Sequence, residues 1–202
     1  MLLEALPIFD TINATAQVAT LFVLLGTAVA AIAQIRHLRA GNELEALLQL
    51  AQELETERMQ TALRFVRFEL DEALERPAYR RDLAELGFVD SSVHPEMFAC
   101  NWFDRVGSLV KLRLIDERTF LDLFARLTAY YWDHLAPVVA LLRRERGVGQ
   151  YENFEYLAAL ARAWKLHHPD GTYPKGTARL AIVDRFADRE RGIAREAESD
   201  VS

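Results

Sequence analysis

The chain has 202 residues, and its net charge of −6 argues against general nucleic-acid binding, which requires a basic face. The single cysteine, Cys100, excludes an intrachain disulfide and fits a reducing compartment such as the cytoplasm. The part that follows the first 33 residues is long enough for one domain with its own hydrophobic core.

The first predicted element is an apolar helix. Residues 11–35 contain no Lys, Arg, Asp, Glu or His. As a helix this stretch is about 37 Å long at 1.5 Å per residue, longer than a hydrocarbon core of about 30 Å. All 24 Lys and Arg residues follow Ala33, beginning with Arg36 and Arg39. The length of this stretch and its lack of charge predict a bilayer-spanning helix over residues 12–35. The positive-inside rule then predicts an extracytoplasmic segment over 1–11 and a cytoplasmic remainder.

Two other interpretations of this stretch stay open. It could be a core helix of the soluble body, although the cationic residues at its end favour the headgroup region of a bilayer. It could also be a signal peptide cleaved after Ala31-Ile32-Ala33, since small residues in this pattern form cleavage sites. A signal peptide needs a basic start, however, and residues 1–13 hold two acids and no base.

Small residues lie on one side of the predicted span, at Gly26, Ala30 and Ala33. Such a face lets two transmembrane helices approach closely. The alternative is that Gly and Ala are simply frequent in a weakly apolar span.

Helical spacing of apolar residues continues through residues 36–168, which we expect to form one helical domain. Asn42 follows Ala40-Gly41 and is predicted to cap a new helix, unless the first helix runs on through Gly41 or bends there. A second start is predicted at Thr56. Pro77 ends that helix or opens a short one.

Residues 96–114 are the stretch richest in apolar and aromatic side chains, which cover most of the helix circumference. This stretch should therefore be the central helix of the domain. Gly107 lies inside this helix and predicts the close approach of a neighbour. Asp116 is predicted to cap the next helix, Pro137 to kink or restart it, and Gly147 to end it.

Residues 152–167 form the last predicted helix of the domain. The charged segment 169–202 is predicted to be weakly helical or disordered. No alternation typical of β-strands appears. The fold class is therefore predicted to be all-α, with one N-terminal transmembrane helix followed by a cytoplasmic multi-helix bundle.

No motif for catalysis or cofactor binding stands out. The histidines lack the i,i+4 spacing of zinc proteases, and there is no phosphate loop and no nucleophile elbow. His167 and His168 with Asp170 come nearest to a metal cluster, but adjacent helix residues face different ways. We therefore expect no metal and no cofactor and favour a non-enzyme, although carboxylates that converge only in space stay open as an acid–base site.

One group of polar residues lies close to aromatic faces and is called the polar set. Charged groups in such positions tend to pair when they lose water, which predicts an ion-pair or hydrogen-bond lock between helices. The functional alternative is a small polar pocket. The polar set consists of Asn101, Asp104, Arg105, Arg143, Arg144 and Glu155.

Several segments together resemble a known bacterial family of single-span proteins, domain of unknown function 4760. They are Gln34-Ile-Arg-His-Leu-Arg39, Asn42 to Leu48, Asn101-Trp-Phe-Asp-Arg-Val-Gly107, Leu114 to Asp116, Tyr131-Trp132, Leu135 to Pro137 and Tyr151-Glu-Asn-Phe-Glu-Tyr-Leu157. The resemblance covers roughly residues 12–165. It implies a membrane-tethered helical module at the inner membrane of a bacterium, and it supplies no activity or catalytic residues.

The sequence therefore predicts a module whose partners are the lipid bilayer, through residues 12–35, and another protein or a second copy of itself. The alternative is a ligand sensor or enzyme that uses a polar pocket near Asp104 and Arg143. Nucleic acid is not an expected partner.

Overall fold

The computed structural model describes residues 6–85, 90, 92–184 and 186; of residues 6–16, 18, 19 and 38–40 it describes the backbone alone. The described residues contain helices and no strand, which confirms the all-α prediction. The chain divides into two compact units, residues 1–169 and 170–202. The helices are α1 (Leu6–Glu55), α2 (Glu57–Phe68), α3 (Leu70–Glu75), α4 (Pro77–Ala84), α5 (Pro95–Lys111), α6 (Glu117–Arg146) and α7 (Glu152–His167).

The first helix runs from the apolar stretch into the body without interruption. The predicted cap at Asn42 is wrong, because Asn42 lies inside α1. Of the two alternatives at Gly41, a helix that runs on or one that bends, the helix runs on. A glycine inside a helix costs only about 1 kcal/mol. The apolar residues that follow it, Leu47, Leu50 and Leu54, are buried in the core and hold this part of α1 against the body.

Thr56 separates α1 from α2, as predicted. Its backbone is extended, and its hydroxyl accepts a hydrogen bond from the Met59 amide at 3.4 Å, which satisfies one of the unpaired donors of the new helix. Pro77 opens α4 at its first position, where a missing amide hydrogen costs nothing. Residues 86–89 and 91, which come after α4, lie outside the described part.

Helix α5 forms the centre of the body and packs against α2, α6 and α7. Trp102, Phe103 and Val106 are buried, and the Phe103 ring stacks on Phe154 of α7 with centroids 4.7 Å apart. The close approach predicted at Gly107 is confirmed: a Cβ there would lie 2.1 Å from the carbonyl oxygen of Asn153. The missing side chain therefore sets the distance between α5 and α7.

Asp116 caps α6, as predicted, because its Oδ2 accepts a hydrogen bond from the Thr119 amide at 2.8 Å. Gly147 ends the helix with a φ of 89°, which favours glycine. Pro137 was expected to kink or restart this helix, and α6 continues through it as one helix of 30 residues. Leu135 and Val138 are buried on the two sides of the proline, so core packing holds the segments together despite the lost hydrogen bond.

The second unit begins at residue 170, and its described residues, 170–184 and 186, form no helix. Within it, the Arg179 guanidinium lies 4.7 Å from the centre of the Tyr173 ring and donates a hydrogen bond to the carbonyl of Asp170 at 2.8 Å. The rest of the segment predicted to be weakly helical or disordered, residues 185 and 187–202, lies outside the described part.

Candidate functional site

The apolar part of α1 presents its side chains to the outside of the chain. Every described side chain from Thr20 to His37 is exposed, and Phe22 reaches 70%. Within the described residues one helix is long and apolar enough to cross a membrane, with a mean hydropathy of 1.7 over its most apolar window. None of that window is buried, so this apolar part of α1 does not pack in the core of the described body, unlike the later part of the same helix.

The small-residue face predicted on the span is exposed at Gly26, Ala30 and Ala33. Nothing lies within 4 Å of the position that a Cβ on Gly26 would occupy. The next residue, Thr27, donates its hydroxyl hydrogen to the Val23 carbonyl at 2.7 Å, so this polar group is satisfied within the helix.

The polar set is partly brought together where α7 begins. Asp104 Oδ1 accepts hydrogen bonds from the amides of Asn153 and Phe154 at 3.0 and 3.1 Å, and its Oδ2 accepts one from the Asn153 side chain at 3.2 Å. One turn earlier on α5, Asn101 Oδ1 accepts a hydrogen bond from the Tyr151 hydroxyl at 2.9 Å. Asp104 of α5 therefore binds free backbone donors at the start of α7, and Asn101 holds the Tyr151 side chain just before it.

Arg143 and Glu155 join the end of α6 to the same turn. Their charged groups lie 2.8 Å apart, and Arg143 Nε donates a hydrogen bond to the Gln150 carbonyl at 2.8 Å. The other two arginines lie elsewhere: Arg105 pairs with Glu53 of α1, and Arg144 is exposed at the surface. The structure thus brings four residues of the polar set to the start of α7.

A second polar cluster, which the sequence did not reveal, joins α4 to the start of α5. It consists of Tyr79, Asp82, His94 and Glu96 and is called the His94 cluster. The His94 ring nitrogens lie 3.0 Å from Glu96 Oε1 and 2.9 Å from Asp82 Oδ2. The Tyr79 hydroxyl donates to Glu96 Oε1 at 2.7 Å. Each ring nitrogen of His94 therefore lies within hydrogen-bond distance of a different carboxylate.

The inner half of the His94 cluster is removed from solvent. His94 and Glu96 are buried, whereas Asp82 is mostly exposed. The Tyr79 ring packs on His94 with centroids 4.5 Å apart, and burial, together with the hydrogen bond to Glu96, raises the pKa of Tyr79. Glu96 Oε2 is buried and has no hydrogen-bond partner among the described residues, which is an unusual state for a carboxylate oxygen.

The sequence contains a weak signal for this cluster. Tyr79 and Asp82 are three residues apart and share one face of α4, and His94 and Glu96 flank the proline that opens α5. Neither pair has a recognised catalytic spacing. Their meeting depends on how α4 and the start of α5 come together in the fold, which the spacing within each helix does not encode.

A comparison with protein-family models identifies this architecture. Residues 21–164 match the model described as domain of unknown function (DUF4760). The chain belongs to this family. The match begins inside the apolar part of α1 and ends within α7, so the DUF4760 domain includes both the exposed helix and the body. No curated protein and no solved structure matches the chain.

Two cavities lie at the surface of the DUF4760 domain, away from the polar set. One of about 390 Å³ is lined mainly by charged side chains, including Glu43, Lys111 and Arg113. The other, of about 610 Å³, lies beside Arg58 and Phe98, where the guanidinium is 4.3 Å from the ring centre. Neither is lined by Asp104 or Arg143, around which a polar pocket was the alternative prediction.

The thiol of Cys100 lies inside the DUF4760 domain. It is fully buried, and burial, with the nearby carboxylates of Glu96 and Asp104, raises its pKa. A thiol in such surroundings is a poor nucleophile. Within the part of the chain that the structure describes, no group of three or more His, Cys, Asp or Glu residues is placed to hold a metal ion.

Proposed function

We propose that this DUF4760 protein is a membrane-anchored helical module, held in the bilayer by residues 12–35, whose body binds another protein or a second copy of itself. The observation that carries the proposal is the exposure of α1. The described apolar side chains of its first part, from Leu21 to Ile35, are exposed, and the same helix continues into the packed body. A bilayer supplies the apolar surroundings that this surface requires.

The charges around the span support a cytoplasmic body. Arg36, His37 and Arg39 follow the apolar stretch directly, while the preceding segment carries Glu4 and Asp10 and no base. Positive residues near a span remain on the cytoplasmic side. We therefore propose that the chain lies in a bacterial inner membrane with residues 1–11 outside.

Anchor and orientation can be tested together, because Cys100 is buried and leaves engineered cysteines as the reactive ones. The chain should stay in the membrane after alkaline carbonate extraction. In intact cells a membrane-impermeant maleimide should label Glu4→Cys, and it should label Gln52→Cys only after lysis. Release by carbonate, or an intact mass showing cleavage after Ala33, would refute the anchor, and the reverse labelling pattern would refute the orientation.

Self-association through Gly26, Ala30 and Ala33 is the specific form of partner binding that the exposed small face supports. Chemical crosslinking in membranes, followed by affinity purification in mild detergent, should recover a homo-oligomer or a defined partner. Gly26→Ile should weaken a homo-oligomer, because the added side chain separates the helices. Ala28→Ile enlarges a small exposed residue on the opposite side of the same helix and serves as its control.

For the polar set we propose a structural role, a lock that joins α5, α6 and α7. The ligand-pocket alternative requires polar groups that are free to meet a ligand, but each Asp104 oxygen already accepts a hydrogen bond from the start of α7. Arg143 is likewise engaged by Glu155 and by the Gln150 carbonyl. These contacts favour the lock over a sensor or an enzyme.

A further inference from the structure

The direction of α5 relative to the span follows from three contacts with α1. Trp102 Nε1 donates to Glu53 Oε2 at 2.9 Å, and Arg105 pairs with the same carboxylate. Ten residues closer to the apolar stretch, Glu43 Oε1 accepts a hydrogen bond from the Asp116 amide at 2.7 Å. From Trp102 to its end, just before Asp116, α5 therefore runs antiparallel to α1. It points towards the apolar stretch of that helix.

The last residue of α5 and the connection to α6, together residues 111–116, are called the basal loop. It contacts α1 at Glu43, which lies eight residues after Ile35, or about 12 Å along the helix at 1.5 Å per residue. The polar headgroup region adds roughly 5 to 7 Å on each side of the hydrocarbon core. The gap that remains between the basal loop and the headgroup region is within the length of an extended Lys or Arg side chain. Transmembrane helices are usually tilted, and a tilt would shorten this gap on one side of the body.

The basal loop carries the residue types that bind a membrane interface. Leu112 and Leu114 are 63% and 60% exposed, and they alternate with the cations Lys111 and Arg113. Arg113 has a φ of 57°, a conformation that favours glycine and that a long side chain adopts at a cost. The chain thus keeps a cation at a position where glycine would be less strained.

We infer that the basal loop is a second membrane contact, in which Leu112 and Leu114 enter the interface and Arg113 binds anionic lipid headgroups. This inference rests on the proposed anchor. Lipid fits the loop better than a protein partner, because the neighbouring cavity is lined mainly by charged groups and offers no continuous apolar groove. The contact fixes the body upright on the membrane instead of leaving it free to swing around α1.

The acidic groups beside the loop, Glu43 and Asp116, keep their charge but are held by hydrogen bonds to the Asp116 amide and to Thr119, and neither forms an ion pair with Arg113. Lys111 pairs with Glu152 at 3.3 Å, so part of its charge is compensated. Arg113 makes no ion pair with any residue in the described ranges, so it is the cation of the loop most available to a headgroup.

The test uses the full chain in nanodiscs loaded with one copy each, labelled with an environment-sensitive fluorophore at a single introduced cysteine. A Leu114→Cys label should shift to the blue and be quenched by lipid-attached nitroxides. The quenching should exceed several-fold that of Gln52→Cys, an exposed position about 25 Å beyond Ile35. It should also be stronger in phosphatidylglycerol discs than in phosphatidylcholine discs.

A label at Leu25→Cys in the span separates this inference from the proposed anchor. Quenching at Leu25→Cys without quenching at Leu114→Cys overturns the basal-loop contact and leaves the anchor intact. Shielding of the Leu114→Cys label that appears only with two copies per disc also overturns it, in favour of a contact between copies. Arg113→Gly, which suits the backbone, should remove the preference for anionic lipid, whereas Arg113→Lys should keep it. Equal behaviour of the two variants refutes the role of the charge.

Discussion

The Asp104 carboxylate accepts a hydrogen bond of 3.0 Å from the backbone amide of Asn153, 49 residues further along the chain. Helix α7 has no side-chain cap of its own, because Tyr151 occupies the cap position in a left-handed conformation. A residue of α5 thus performs the capping that Ser, Thr, Asp or Asn normally provides from within the same helix. The start of α7 is therefore formed by tertiary contact rather than by its local sequence.

Replacing Asp104 with Ala should destabilise the body by about 2 kcal/mol, because it removes a cap and leaves partly buried amide donors unpaired. In a domain of this size that loss lowers the Tm by about 4 to 8 °C. Thermal unfolding of the detergent-solubilised chain measures it. Glu145→Ala, an exposed position in the last turn of α6, is the matched carboxylate deletion and should stay within about 0.5 kcal/mol. If Asp104→Ala unfolds at the same temperature as the parent chain, the proposed lock is refuted.

Two glycines inside helices should respond to alanine in opposite directions. At Gly107 the new Cβ would lie 2.1 Å from the Asn153 carbonyl oxygen, so α5 and α7 must separate and stability should fall by about 1 to 3 kcal/mol. At Gly41 nothing lies within 4 Å, so Gly41→Ala should raise stability by about 0.5 to 1 kcal/mol through the better helix propensity of alanine. Denaturant titration compares the two variants. A Gly107→Ala protein as stable as the parent would contradict the close helix approach.

Features encoded by neighbouring residues were predictable from the sequence. Thr56 and Asp116 cap helices because their oxygens reach amides three residues ahead, and Pro77 and Pro95 open helices because proline suits the first position. The packing role of Gly107 was also predictable from its neighbours, because a glycine among apolar helix positions needs a compensating contact.

Features that depend on the whole fold were missed or mistaken. The helix continued through Pro137, because burial on both sides outweighed the local penalty. It continued through Gly41 because a glycine inside a helix costs only about 1 kcal/mol, and the residues that follow pack in the core. The polar set was proposed from proximity to aromatic faces, which could not show that Arg105 would pair with Glu53 of α1. The His94 cluster was missed because its members come from two helices whose meeting the sequence does not specify.

Disruption of the His94 cluster should cost more than loss of an ordinary hydrogen bond. His94→Leu leaves the fully buried Glu96 with only the Tyr79 hydroxyl, and breaking a buried pair by removing one partner costs about 3 to 5 kcal/mol. Adding Glu96→Met removes the stranded carboxylate and should restore most of the loss, because an apolar replacement of a buried pair is often neutral. Chemical unfolding of both variants measures the recovery. A double variant no more stable than His94→Leu would show that the cost arises from packing of the ring.

Stability should fall in alkali, and Cys100 should contribute to the fall. Burial raises the pKa of the Cys100 thiol above its ordinary 9.0 and that of the Tyr151 hydroxyl above its ordinary 10.0. The folded chain keeps these protons while the unfolded chain releases them, so the contribution is complete below pH 9 and is lost as the pH rises beyond it. For the fully buried thiol the slope approaches about 1.4 kcal/mol per pH unit. Denaturation between pH 7 and 10.5 should show the free energy of unfolding declining less steeply for Cys100→Ala than for Val106→Ala. The second variant makes a similar cavity but keeps the thiol. Parallel declines would contradict the assignment.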